Sequence, residues 1–371
     1  DTIKIGSFTQ CTSLTEISIP SSVTTIEEHL FDGCTSLINL TIPTSITIIK
    51  RNSFTGCISL PEISIPNSVK VIEEETFKEC SSLKNIIIPT AITTITKGCF
   101  NKCSSLTEIS IPSSVTTIEE YAFSECTSLR EIIIPPSVEI IKEYCFNNCI
   151  NLLEITIDPY KTQIQDNSFE NDHLLYKLNI HPSVTIIQER PNKFIKCMKT
   201  INIPNTVSKV KNYAFSGCLM LKEIIISSSV KSIGSYSFEG CLNLERIKIN
   251  PYITNIQSSA FNNCHSLKHL IFDSTVKIIK RIDYLKINNI VNITIPPSVT
   301  SIDDKSFKGI KTLEKVDIPS SIKSIGSYSF EECSSLKQIE LPKSIESIGS
   351  NSFENCTSLS RIDFSSSITI L

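Results

Sequence analysis

The chain repeats itself every 23 residues. Fourteen Phe residues share one phase: Phe8, Phe31, Phe54, Phe77, Phe100, Phe123, Phe146, Phe169, Phe215, Phe238, Phe261, Phe307, Phe330 and Phe353. The two phase positions without Phe hold Asn192 and Tyr284. Three residues after the Phe stands a Cys, as at Cys11, Cys34, Cys57, Cys80, Cys103, Cys126 and Cys149, and three further on a Leu, as at Leu14, Leu37, Leu60, Leu83, Leu106 and Leu129. An Ile-x-Ile-Pro segment follows (Ile17 to Pro20, Ile109 to Pro112), and then Ser-Val-x-x-Ile (Ser114 to Ile118). A fixed period in this range specifies a stack of identical units rather than a globular domain.

The spacing defines what one unit does. Leu-x-x-Ile-x-Ile ends in alternation of period two, which predicts a short strand. Pro then stops the strand, because it cannot donate the next ladder bond. Val-x-x-Ile returns along the opposite side, and the Phe closes the unit in a tight turn or single helical turn. One such unit cannot bury its own apolar side. Stacking places each Ile over the next Ile and each Phe over the next Phe, and makes a continuous core. The expected architecture is a single solenoid over residues 1–371, of about sixteen repeats, with parallel strands on one face. Irregular repeats are expected near 158–200 and 281–290. There Asp172 replaces the Cys, Asp158 replaces the Pro, and Phe194 and Cys197 slide two residues late. Both ends fall in mid-repeat, so the chain reads as a fragment or processed segment whose open ends could associate with themselves.

The pattern Leu-x-x-Ile-x-Ile-Pro-x-Ser-Val-x-x-Ile-x-x-x-x-Phe-x-x-Cys resembles the BspA-like leucine-rich repeats. These occur in surface proteins of oral and gut bacteria and in parasitic protists. The Ile, Lys, Asn and Ser richness of this chain is closer to the protist branch. The resemblance covers essentially the whole chain. It implies a right-handed solenoid used for adhesion or protein binding, a cell-surface location, and no catalytic residues or cofactor. The Gly that often follows Val-x-x-Ile in that family survives here only at Gly234, Gly326 and Gly349.

Composition narrows the function classes. A net charge of -3 provides no global field for nucleic acid. No apolar run approaches the length that spans a bilayer, and no signal peptide is visible at the first residues. Fifteen Cys invite a disulfide or metal reading. Twelve of them lie on the repeat phase, where neighbouring Cβ atoms would be separated by the strand spacing rather than the roughly 3.8 Å that a disulfide wants. The expectation is a ladder of buried free thiols. Reduced thiols suit a cytoplasmic chain, so that location is the alternative to the surface. The single Cys/His cluster, Cys264 with His265 and His269, has outward histidines and an inward Cys, which argues against a metal. No Walker A, G-x-G-x-x-G, H-E-x-x-H or G-x-S-x-G motif occurs. Carboxylate pairs such as Glu27-Glu28 and Glu119-Glu120 recur at one phase, which describes a solvated edge and not a special catalytic environment.

By alternation, the x positions of Leu-x-x-Ile-x-Ile point outward from the strand face. Their occupants vary along the chain, and this is the face that solenoids use for ligands. The candidate partner-binding residues are Arg130, Ile133, Tyr176, Lys177, Ile225, Arg246, Lys248, His269 and Ile271, because Tyr and Arg are enriched at binding hot spots and exposed Ile supplies apolar contact. The leading function is a non-catalytic module that binds a protein or glycan there. The alternatives are an intracellular scaffold, or the sensor part of a larger protein whose catalytic domain lies elsewhere.

Overall fold

The computed structural model describes residues 3–189, 193–250, 253, 255–257, 259–279 and 289–363. The chain divides into two compact units, Asp1–His181 and Pro182–Leu371. Each is a coil of 23-residue turns carrying a long strand, a two-residue strand and a Phe turn. Helix is almost absent: the single described one is Lys193–Lys196, in the repeat where Phe194 has slid off phase. The irregularity expected near 281–290 lies mostly outside the described residues.

In the first unit the long strands include Glu16–Ser18, Asn39–Thr41, Glu62–Ser64, Asn85–Ile87, Glu131–Ile133, Glu154–Ile157 and Lys177–Ile180. In the second they include Thr200–Asn202, Glu223–Ile225, Arg246–Ile249, His269–Phe272, Asn292–Thr294 and Lys315–Asp317. Pairing is parallel, and the register steps by one repeat, as in Glu131↔Glu154 and Arg246↔His269. The short strands pair the same way on the opposite side, for example Thr25↔Ile48 and Ser301↔Ser324.

Proline limits the strand length, although Ser227, which also stands in its place, leaves a strand of three residues, Glu223–Ile225. Where Pro follows the second Ile, as after Glu62–Ser64, the strand has three residues. Where Asp158, His181, Asn250 or Asp273 replaces it, the strand grows to four. The extra backbone donor explains the gain: His181 N–H reaches Ile157 O at 2.9 Å, and Asp273 N–H reaches Ile249 O at 2.9 Å. Pro has no proton to make that bond.

The Phe turn is a third parallel ladder. In one repeat the N–H groups of His29, Phe31 and Gly33 donate to the carbonyls of Arg51, Ser53 and Thr55 in the next, at 3.2, 2.8 and 2.7 Å. Residues two before and two after the Phe take the left-handed conformation, as at His29 (φ 54°) and Gly33 (φ 71°). The alternation turns every second N–H toward the same neighbour, while the N–H groups of Leu30 and Asp32 donate back within their own turn, to Glu27 O and His29 O. Most repeats hold a non-Gly residue at one of these sites, such as Tyr121, Tyr144, Tyr213, Tyr236 and Tyr328. Each such residue costs on the order of 1 kcal/mol, offset by the inter-turn bonds.

The core follows the phases. Phe31 through Phe146 are fully or almost fully buried. From Phe8 to Phe169 neighbouring rings stack with centroids 5.0 to 5.6 Å apart. In the second unit Phe215, Phe238 and Phe261 continue the pattern at 5.3 and 5.0 Å. Phe307, which follows the Tyr284 repeat, meets Phe272 at 6.3 Å with the rings tilted by 59°. Each buried Phe contributes roughly 2–3 kcal/mol by area.

Candidate binding face

Burial along the long strands alternates exposed, buried, exposed, as in Asn39–Thr41 and Glu131–Ile133. The inner Ile and Leu are fixed by the core. The outer positions are free of that constraint, and their identities differ from turn to turn.

The residues singled out from sequence fall into two groups, one per unit. In the first unit Arg130, Ile133 and Tyr176 are exposed, Ile133 to 59%. Lys177 is half-buried, with its ammonium 2.6 Å from Glu154 Oε2. Glu154 also accepts a bond from Asn179 Nδ2 at 2.8 Å, and these two partners hold its carboxyl below the usual range. In the second unit Arg246 is exposed, whereas Lys248 is half-buried and pairs with Asp273 at 3.0 Å. The expectation that Ile225 and Ile271 stand as exposed as Ile133 does not hold. Both are half-buried, and each has the long side chain of Lys248 as its register partner. His269 is half-buried between Arg246 and Asn292. Among the described residues Arg130 and Arg246 have no ion-pair partner, whereas Lys177 and Lys248 are already neutralised.

Sequence reasoning passed over Ile87. It is 77% exposed, the most exposed large hydrophobic among the described residues. The signal was present, since Ile87 occupies the same outward phase as Ile133, where neighbouring repeats have Ser64 and Ser110.

The cysteines form the expected ladder of free thiols. Beyond burial, ten of the ladder thiols donate to the Phe carbonyl one turn back. Cys57 Sγ donates to Phe31 O at 3.3 Å, Cys103 to Phe77 O at 3.1 Å, and Cys241 to Phe215 O at 3.2 Å. Off-phase Cys99 and Cys145 are also buried. They sit just before the Phe, in a small slot filled elsewhere by Ser53, Ala122 or Ser168. Cys197, in the slipped repeat, is exposed. Burial pushes the Cys99 and Cys333 thiols up to about 12 and others higher still, so these thiols are protonated and unreactive. Cys264 is buried and His265 exposed, so they do not converge. Among the described residues no group of three or more His, Cys, Asp or Glu could hold a metal.

The carboxylate pairs after Val-x-x-Ile are bound across repeats. Lys50 reaches Glu27 at 2.6 Å, Arg51 reaches Glu28 at 2.7 Å, and Lys142 reaches Glu119 at 2.5 Å. Each joins residues of successive turns and is a solvated edge contact. No helix among the described residues is long and apolar enough to cross a membrane.

A parallel coil with a 23-residue period, an inward Leu/Ile/Phe lattice and a variable outward strand face defines a leucine-rich-repeat protein. A family model described as BspA type leucine rich repeat region (6 copies) matches residues 1–112, 93–191, 190–283 and 283–371. The chain belongs to the BspA-type leucine-rich repeat family. Among solved structures it is similar to a leucine-rich repeat protein from Bacteroides ovatus, with 32% identity over 100% of this chain and 78% of that one, at a TM-score of 0.41. It is also similar to a leucine rich cell surface protein from Faecalibacterium prausnitzii, with 27% identity, 98% and 83% coverage and a TM-score of 0.41. No curated protein matches the chain.

Proposed function

We propose that this protein is a non-catalytic binding module that works in adhesion or protein–protein interaction at a cell surface, and that the strand face holds its ligand, a protein or a glycan. The observation that carries the reading is the contrast between the two sides of each long strand. The inner side repeats the same Ile and Leu, while the outer side changes at every turn and exposes Ile87, Ile133, Tyr176, Arg130 and Arg246. Outward aliphatic side chains are not needed for folding, and Tyr and Arg are the residues most enriched at binding hot spots. Membership of the BspA-type family and the similarity to a cell-surface protein support the location. The buried, bonded thiols are compatible with it, because protonated thiols inside the core persist without a reducing compartment.

The test replaces Arg130, Tyr176 and Arg246 together with Ala. The variant and parent are compared for capture of proteins and glycans from cell-surface extract. Binding should weaken by tenfold or more with an unchanged circular dichroism spectrum. Equal binding by the variant to the parent's ligand overturns the strand-face reading.

A further inference from the structure

On the strand face of the first unit a groove of about 480 Å³ opens around Ser110. Its cause is local. Residues 107–109 form no strand, and pairing with the preceding turn is reduced to the single bridge Ile87↔Ser110. Ile109 is half-exposed there, whereas its counterparts Ile63, Ile86 and Ile132 are buried. The outward column through this region reads Ser64, Ile87, Ser110, Ile133, Thr156. A Ser between two Ile leaves a slot one side chain deep. Its walls, Ile87 and Ile133, stand about two strand spacings apart, roughly 10 Å.

The charged lining is one-sided. Glu108 and Glu131 border the groove, and no Lys or Arg does. Glu62 lies further along the same column. All three are exposed, and none has an ion-pair partner among the described residues, in contrast to Glu27, Glu28 and Glu119 on the opposite edge. His181, also in the lining, is held below its ordinary range by burial despite the opposing charge of Asp158, so it brings no cation. An aliphatic slot beside unneutralised carboxylates is complementary to a large apolar side chain with cations beside it.

We propose that this groove binds an extended segment of a partner protein carrying one large apolar side chain flanked by Lys or Arg. The apolar side chain enters over Ser110 between Ile87 and Ile133, and the flanking cations meet Glu108 and Glu131. The proposal rests on the strand-face reading above and gives it one site and one partner chemistry.

The test is selection of a random linear peptide display library on the full chain. Enriched peptides are then measured against two double variants, Ile87→Ser with Ile133→Ser, and Glu108→Gln with Glu131→Gln. All four positions are exposed, and the thermal midpoint and circular dichroism check the fold. The expected result is a shared motif of an aromatic or Leu residue next to Lys or Arg, with affinity falling at least tenfold on each variant. Acidic or uncharged motifs, no enrichment, or full binding by both variants overturn the proposal. Peptides that keep binding to these variants but are lost on Arg246→Ala overturn this groove and leave the strand-face reading standing. Peptides insensitive to every strand-face variant overturn both. Self-association of the chain in sedimentation that depends on Ile87 and Ile133 overturns the foreign partner in favour of a second copy.

Discussion

Asp172 occupies the ladder position that other repeats give to Cys, and it provides a quantitative test of how the stack is held together. Its side chain is 8% exposed, and neither carboxyl oxygen has a hydrogen-bond partner among the described residues. Burial pushes its carboxyl up to about 8 from 3.8, although the backbone of the facing Cys149 pulls the other way. The titratable groups that share its surroundings are the thiols of Cys145 and Cys149, themselves raised by burial. A neutral carboxyl can do what the ladder thiols do, which is to offer a proton to the Phe carbonyl one turn back; a carboxylate cannot. The sign follows from linkage. Between 3.8 and about 8 the folded chain keeps a proton that the unfolded chain has lost, so stability falls as pH rises through that window and levels off above it. At about 1.4 kcal/mol per pH unit, a window about four units wide comes to on the order of 5 kcal/mol. Asp172→Cys removes the acid and restores the ladder. The assay is the urea midpoint of parent and variant from pH 5 to pH 8, with hydrogen exchange of the 168–178 backbone, since repeat stacks can open locally. The parent should lose stability across this range, and the variant's advantage should grow with pH. A difference that stays constant with pH, or a parent that is the more stable at pH 8, refutes the argument.

Two further perturbations address the core and the thiols. Phe123→Ala leaves a cavity between two stacked rings 5.4 and 5.3 Å away, and it should cost about 3–5 kcal/mol in a denaturant titration. A cost under about 1 kcal/mol would mean that the stack closes over the gap. With a disulfide reagent under native conditions, exposed Cys197 should react first and half-exposed Cys11 next, while the buried thiols wait for unfolding. Rapid labelling of Cys103 or Cys126 by mass spectrometry would contradict their burial.

Part of the candidate binding face could be read from the chain. The outward phase of the long strand identified Ile133 and Arg246 as surface residues, because period-two alternation fixes which side chains leave the core; Arg130 and Tyr176, just before their strands, are exposed as expected from the repeat pattern. It could not separate Ile133 from Ile225 and Ile271, since exposure on the same phase depends on what the neighbouring turn places alongside. Lys248 is the register partner of both of the latter, whereas Ile133 has Ser110 and Thr156 at the neighbouring outward positions. It also could not show that Lys177 and Lys248 are already paired with Glu154 and Asp273, or that the sheet parts at residues 107–109.

The 23-residue period by itself determined the parallel coil, the inward Leu, Ile, Cys and Phe lattice, and the stop that Pro puts to the long strand. These depend on local alternation and on a missing proton, both written in the residue order. The place of the off-phase Cys99 and Cys145, in the small slot before the Phe, came from the structure. The left-handed alternation of the Phe turn, the thiol bonds to Phe carbonyls, the stranded carboxyl of Asp172 and the groove at Ser110 were decided only by tertiary structure. Each of them depends on what one turn presents to the next, and a single repeat does not contain its neighbour.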